Sequence, residues 1–243
     1  MFGFSRYFFD TIQSSVDDGL AAIEAARKVG HRRAEMLGQV LCVYALVELG
    51  ELDRAEAHSA EAQALVQRLG AMRFEARNLT WLARIRIAEG RRSEALELLE
   101  QAHRISQDTG LAFTGPRVLS NIALVTEDLE KRRRALKEGE AILRSGAISH
   151  NYFWFNRDAI EVSLNIGDWE SVERYAAALE DYTRPEPLPW CDFFIARGRA
   201  LAAFGQGRRG AETLAGLRRL REQAERNGFM TVLPALDAAL EAA

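Results

Sequence analysis

Glycines recur in this chain at a step of forty residues, and that step limits the folds open to it more than any other feature. Gly30, Gly70 and Gly110 form one series, Gly50 and Gly90 a second, and Ala55, Ala95 and Ala135 keep the same interval. A period of this length marks stacked supersecondary units, each unable to bury its apolar face alone, so that neighbours must cover one another.

With Gly50 as the turn inside one hairpin, Arg32 to Leu49 and Asp53 to Leu69 both carry apolar residues at helical spacing. The frame repeats over Arg73 to Glu89, a turn at Gly90, and Ser93 to Ser106. Glu130 takes the turn place in a third hairpin, Gly167 in a fourth, and Gly205 to Gly210 form a longer fifth turn. Seven residues before the turn a helix passes close to its partner, and Val43, Ala83, Ala123 and Gly198 are small there, with Ile160 the exception. The sequence predicts an all-α chain, a single unit over 1–243, with repeats at 31–70, 71–110, 111–146, 147–184 and 185–228 and a capping helix at 229–243. Residues 1–30 then make a shortened first hairpin with its turn at Asp10, leaving Met1 to Phe9 for its first helix. The expectation is a chain cut through a hairpin. The competing reading is a cap made by Phe2, Phe4, Tyr7, Phe8 and Phe9.

The turn glycine, the alanine five residues on and the apolar residue eight before the turn (Cys42, Leu82, Ile122) resemble the tetratricopeptide repeat. The usual period of that repeat is about 34 residues, and the longer helices here resemble its extended variants in bacterial regulators. The resemblance implies a right-handed α-solenoid of five to six hairpins. Three stretches are more specific: RKVGHRRAEM from Arg27, SHNYFWF from Ser149, and DYTRPEPLPW from Asp181 continuing to FIARGRALA ending at Ala202. They are similar to the C-terminal repeat regions of large bacterial proteins that join a class III adenylate/guanylate cyclase domain, a signalling ATPase and tetratricopeptide-type repeats. The resemblance implies a regulatory, partner-sensing arm of a cyclic-nucleotide signalling protein. Catalysis would lie in a parent region, since the chain has no alternating strand pattern and no Gly-Lys pair for a phosphate loop.

In tetratricopeptide arrays the first helix of each hairpin lines a concave groove. Positions six, ten and thirteen before the turn place Tyr44, Arg84, Glu161 and Arg199, then Thr80, Ser120 and Arg157, then Arg77, Arg117, Trp154 and Asp192 on that face. The protein-binding groove is therefore expected at Arg77, Arg84, Arg117, Arg157, Trp154, Glu161, Arg199 and Asp192. An arginine-lined groove suits an acidic peptide, a chain terminus or a phosphate through forked charge-assisted bonds. The bland alternative is that these arginines pair with neighbouring carboxylates and bind nothing. The aromatic stretches His150 to Phe155 and Trp190 to Phe194 read as packing before they read as a recognition pocket.

Other chemistry is thin. Gly205, Gly207 and Gly210 spell a dinucleotide fingerprint, but a helix precedes them where that chemistry needs a strand. His31, His58, His103 and His150 show no metal-ligand spacing, and no nucleophile has a base beside it in sequence. No catalytic residue, metal or cofactor is expected. The net charge of -3 argues against a nucleic-acid binder, although Arg91, Arg92, Arg132, Arg133, Arg134, Arg208 and Arg209 all follow turns and would align along one edge. Lys28, Lys131 and Lys137 are the only lysines; arginine supplies the remaining positive charge, which favours forked pairing between helices. Cys42 and Cys191 are too few and too far apart for a disulfide framework. No window approaches the roughly 18 apolar residues of a membrane span, and no secretory leader is apparent, so a cytoplasmic protein is expected. The expected partner is a protein or peptide, acidic in character, with a second copy of the chain as the alternative.

Overall fold

The structure is a computed structural model that describes residues 7–243, and every regular element among them is helical. Residues 7–9 are helical and run into a bend at Asp10; Met1, Phe2 and Phe4 lie outside the described residues. Thr11 then caps α1 (Ile12–Lys28), its hydroxyl accepting the Ser14 N–H. Helices follow in pairs: α2 (Arg32–Glu48) with α3 (Leu52–Leu69), α4 (Met72–Ala88) with α5 (Arg92–Thr109), α6 (Leu111–Val125) with α7 (Leu129–Gly146), α8 (His150–Ile166) with α9 (Trp169–Thr183), and α10 (Pro189–Gly205) with α11 (Ala211–Asn227). A 3₁₀ turn at Met230–Val232 leads into α12 (Leu233–Glu241).

The tight turns share one device. Gly50 and Gly90 adopt φ of 74° and 77°, and the N–H of the following residue reaches back to Leu46 and Arg86 carbonyls at 2.9 and 2.8 Å. That left-handed residue closing a helix is the reason for glycine at this step. Two turns depart from the expected frame. In the third hairpin Glu130 is not in the turn but inside α7; the turn is Thr126 to Asp128, extended, with the Asp128 carboxylate accepting the N–H groups of Glu130 and Lys131. This turn is marked by an aspartate opening the second helix, not by a glycine closing the first. In the fifth, the left-handed residue is Gly207 (φ 88°), whereas Gly205 closes α10 against the Trp169 ring, where a side chain would collide.

The second helix of each pair is amphipathic. On α5 only Ala95, Leu99, Ala102 and Ser106 are buried, one narrow stripe at helical spacing. The first helices are different: α2 buries Gly38 through Glu48 without a break, and α6 buries Thr114 through Ala123. They are enclosed because consecutive helices pack on each other and, in addition, α2 packs on α4, α4 on α6, α6 on α8, and α8 on α10. Close approaches are built from small residues. A Cβ on Gly38 would lie 3.0 Å from the Gly19 carbonyl oxygen, so α1 and α2 touch backbone to backbone.

The two ends of the described chain both pack on this inner row. Thr231 hydrogen-bonds Glu48 on α2 at 2.9 Å across 183 residues of sequence. Tyr7 meets the Trp154 ring of α8 at 5.5 Å, and Phe8 meets Trp190 of α10 at the same distance. No described helix is long and apolar enough to cross a membrane.

Candidate functional site

The inner face is a column of arginines and large aromatics. Arg117, Arg157 and Arg197 stand forty residues apart on α6, α8 and α10, and are 1%, 2% and 1% exposed. Each meets its burial differently. Arg117 lies between two rings, its guanidinium carbon 3.9 Å from the Trp81 centroid and 4.1 Å from that of Trp154, and among the described residues its three side-chain nitrogens have no hydrogen-bond partner. Arg157 approaches Glu48 at 3.3 Å and Asp158 at 3.6 Å, and among the described residues its Nε and Nη1 make no hydrogen bond. Arg197 pairs with Glu161.

Asp158, itself fully buried, is the centre of the polar network. It accepts from Arg84 Nη1 at 3.0 Å, from the Ser120 hydroxyl at 3.0 Å and from Asn121 Nδ2 at 2.8 Å. Arg84 Nη1 also reaches Asn121 Oδ1 at 3.1 Å. Among the described residues, five arginines (Arg77, Arg84, Arg117, Arg157, Arg197) thus share this interior with three carboxylates (Glu48, Asp158, Glu161). Positive charge is in excess where solvent cannot screen it.

A cavity opens at either end of the column. At the turn end, about 410 Å³ is lined by Arg84, Arg157, Glu161 and Asn165 together with apolar Val47, Ile87 and Leu124, and by Met230 and Thr231 of the 3₁₀ turn. At the opposite end, about 240 Å³ lies among aromatic rings and Arg77. His150 lines this second space, with Nε2 3.1 Å from the Phe113 carbonyl oxygen.

Burial, reinforced by the positive charges of Arg77 and Arg117, holds the His150 pKa down to about 4. The imidazole is therefore neutral in the fold, while the unfolded chain takes up a proton near pH 6.5. Between about pH 6.5 and about pH 4 the unfolded state binds more protons, so stability is full above that window and is lost as pH falls through it. The loss reaches roughly 3 kcal/mol at 1.36 kcal/mol per unit. His150→Gln is expected to flatten this limb of the stability profile in urea titrations; an unchanged acid limb would show that other groups produce it.

No family model matches this chain, and no curated protein matches it.

The open trough expected from the sequence is corrected by these contacts. Arg77, Arg84, Arg117, Arg157 and Trp154 do face inward, but among the described residues all except the half-buried Arg84 are buried, and the space beside them is divided between the two cavities. Glu161 is half-buried at the turn-end cavity. Arg199 and Asp192 are not part of this interior. Arg199 turns outward to Glu173 and Glu180 on α9, both at 2.8 Å, and Asp192 is exposed. The cause is the frame: with the turn at Gly207, position ten before it is Arg197, not a residue of the face counted from Gly205. Arg197 was thus missed, although its forty-residue step from Arg157 stands in the sequence. Glu48 and Asp158 were missed too, with no comparable signal.

The aromatic stretches pack as core, with Trp154, Phe155, Trp190, Phe193 and Phe194 all buried in one cluster. Several of the arginines after the turns are engaged locally. Arg92 donates to the Leu124 and Val125 carbonyls, Arg132 to those of Ala123 and Thr126, Arg91 pairs with Glu94, and Arg209 donates to the Ala242 carbonyl. Gly205 to Gly210 join two helices. Among the described residues no three His, Cys, Asp or Glu side chains are grouped to hold a metal ion, and Cys42 and Cys191 are free and buried.

Proposed function

We propose that this chain is a non-catalytic interaction module: a right-handed solenoid of tetratricopeptide-like hairpins, wound until its inner faces meet, that receives an acidic group of a partner protein at the turn end of its inner helices. The observation that carries this reading is Arg157. It is buried, lines the cavity of about 410 Å³, and among the described residues its Nε and Nη1 make no hydrogen bond, Nη1 meeting Glu48 and Asp158 only as ion pairs at 3.3 and 3.6 Å. A carboxylate from an acidic side chain or chain terminus would complete those donors with charge-assisted bonds. Val47, Ile87 and Leu124 would take the apolar part of the same residue. The cavity falls within the roughly 300–1,000 Å³ range of specific binding sites. The likeness to repeat arms of bacterial cyclase–ATPase regulators adds the expectation that the partner belongs to cyclic-nucleotide signalling.

The test is a fluorescence-anisotropy screen of short peptides with free acidic C-termini against their amidated, neutral counterparts. A subset of acidic peptides is expected to bind, and Arg157→Lys, which keeps the charge but loses the fork, is expected to weaken them at least tenfold, about 1.4 kcal/mol, with the far-ultraviolet circular dichroism unchanged. Equal binding of neutral peptides, or no binding of acidic ones, would remove the proposal.

A further inference from the structure

The smaller cavity, at the other end of the column, is built around a second incompletely paired cation. Arg77 is 8% exposed, and among the described residues its Nε and Nη2 have no hydrogen-bond partner. These two nitrogens share one edge of the guanidinium, the edge that grips a carboxylate with two parallel bonds. The rest of the group is held by π-faces: its central carbon lies 4.5 Å from the Phe74 centroid and 5.5 Å from that of Phe113. Stacking fixes the plane without neutralising the charge. A desolvated donor edge left without an acceptor is costly, and persists where something else supplies the acceptor.

The walls describe the rest of the occupant. Tyr44, Phe74, Phe113 and Trp154 present aromatic surface to the space, Leu37 adds an aliphatic side, and no carboxylate of the described residues lines it. Aromatic walls favour a flat ring, by offset or edge-on stacking. The absence of an acidic lining residue disfavours an ammonium group on the ligand, which would enter beside Arg77 with nothing to pair it. At about 240 Å³ the space is smaller than a drug-sized site and suits a single ring with a short acidic arm.

We infer that the cavity bounded by Arg77, Phe74, Phe113, Tyr44 and Trp154 is a binding site for a small aromatic carboxylate without a cationic group, its acid gripped by the Nε–Nη2 edge of Arg77 and its ring stacked between the aromatic walls. This site stands on a different cavity and a different arginine from the peptide site above, so either can fail alone.

The experiment is a titration of the full chain with benzoate and phenylacetate, read by tryptophan fluorescence, since Trp154 lines the cavity, and by calorimetry. Benzamide serves as the neutral isostere, acetate and inorganic phosphate as bare anions, and phenylalanine as the zwitterion. At least one aromatic carboxylate is expected to bind saturably, one per chain, at least tenfold more tightly than each of those controls. Arg77→Met is expected to erase the preference for carboxylate over amide, and Arg77→Lys to weaken carboxylate binding about tenfold through loss of the fork. The comparison of benzoate with benzamide on the unaltered chain needs no variant to fold. Absence of saturable binding by both aromatic carboxylates, equal affinity for benzamide or phenylalanine, or phosphate binding as tightly as benzoate would each overturn the assignment.

Discussion

Asp158→Ala is expected to lower the unfolding free energy by about 3–5 kcal/mol, the cost of breaking a buried ion network by deleting one partner. The carboxylate has no solvent exposure and gathers Arg84, Ser120 and Asn121 by hydrogen bonds and Arg157 by charge at 3.6 Å. Without it, two arginines lose a counter-charge and two neutral donors lose an acceptor, all inside the fold. The arginines would then have Glu48 and Glu161 as the nearest balance, against five cations. For a chain of this size the loss corresponds to a fall in Tm of roughly 6–20 °C. Asp158→Asn keeps the shape and much of the hydrogen bonding but removes the charge, so it should fall between the alanine variant and the native chain. Guanidinium titrations of the three proteins measure this directly. A loss below about 1 kcal/mol for the alanine variant would show that Asp158 is not the charge-balancing centre.

Arg117→Met has the opposite expected sign: a gain in stability of about 1–4 kcal/mol, as found when buried ionic groups give way to apolar residues of similar volume. Burial pushes the Arg117 pKa down to about 10, and none of its three nitrogens finds an acceptor among the described residues. What it has is ring contact, with Trp81 at 3.9 Å and Trp154 at 4.1 Å. A desolvated cation–π contact contributes about 2 kcal/mol or somewhat more, whereas removing a cation from water costs several kcal/mol. The methionine thioether keeps favourable contact with both rings at no desolvation cost. The same guanidinium titration decides the sign, and a destabilised Arg117→Met would mean that the two tryptophans outweigh hydration.

The helical content and its punctuation could be read from the residues, because they are local. Amphipathic stripes such as Ala95, Leu99 and Ala102, and glycines that close helices in the left-handed region, act within one or two turns of chain. Where a turn used other chemistry, the frame slipped. Asp128 capping α7 displaces the third turn from Glu130, and the fifth turn, which begins at Gly205 by its glycines, has its left-handed residue two positions later at Gly207. A two-residue slip on a helix rotates a face by about half a turn, which is why Arg199 and Asp192 were placed inward and Arg197 was not. The series Arg117, Arg157 and Arg197 would have restored the register.

Local residue patterns alone specify a succession of helix pairs, with arginines on one face of the first helix from the second pair onward. Whether that face would be a groove or an interior was decided only in three dimensions. The outcome depends on how far successive pairs rotate, a sum of small angles set by side-chain volumes at many contacts. It depends also on partners far apart in the chain: Glu48 with Thr231, Tyr7 with Trp154, Asp158 with Arg84. Those contacts form because apolar area at both ends, Phe8 and Phe229 among it, is removed from water only by closing over the inner row. A periodic pattern records which face each residue takes, but not what finally covers it.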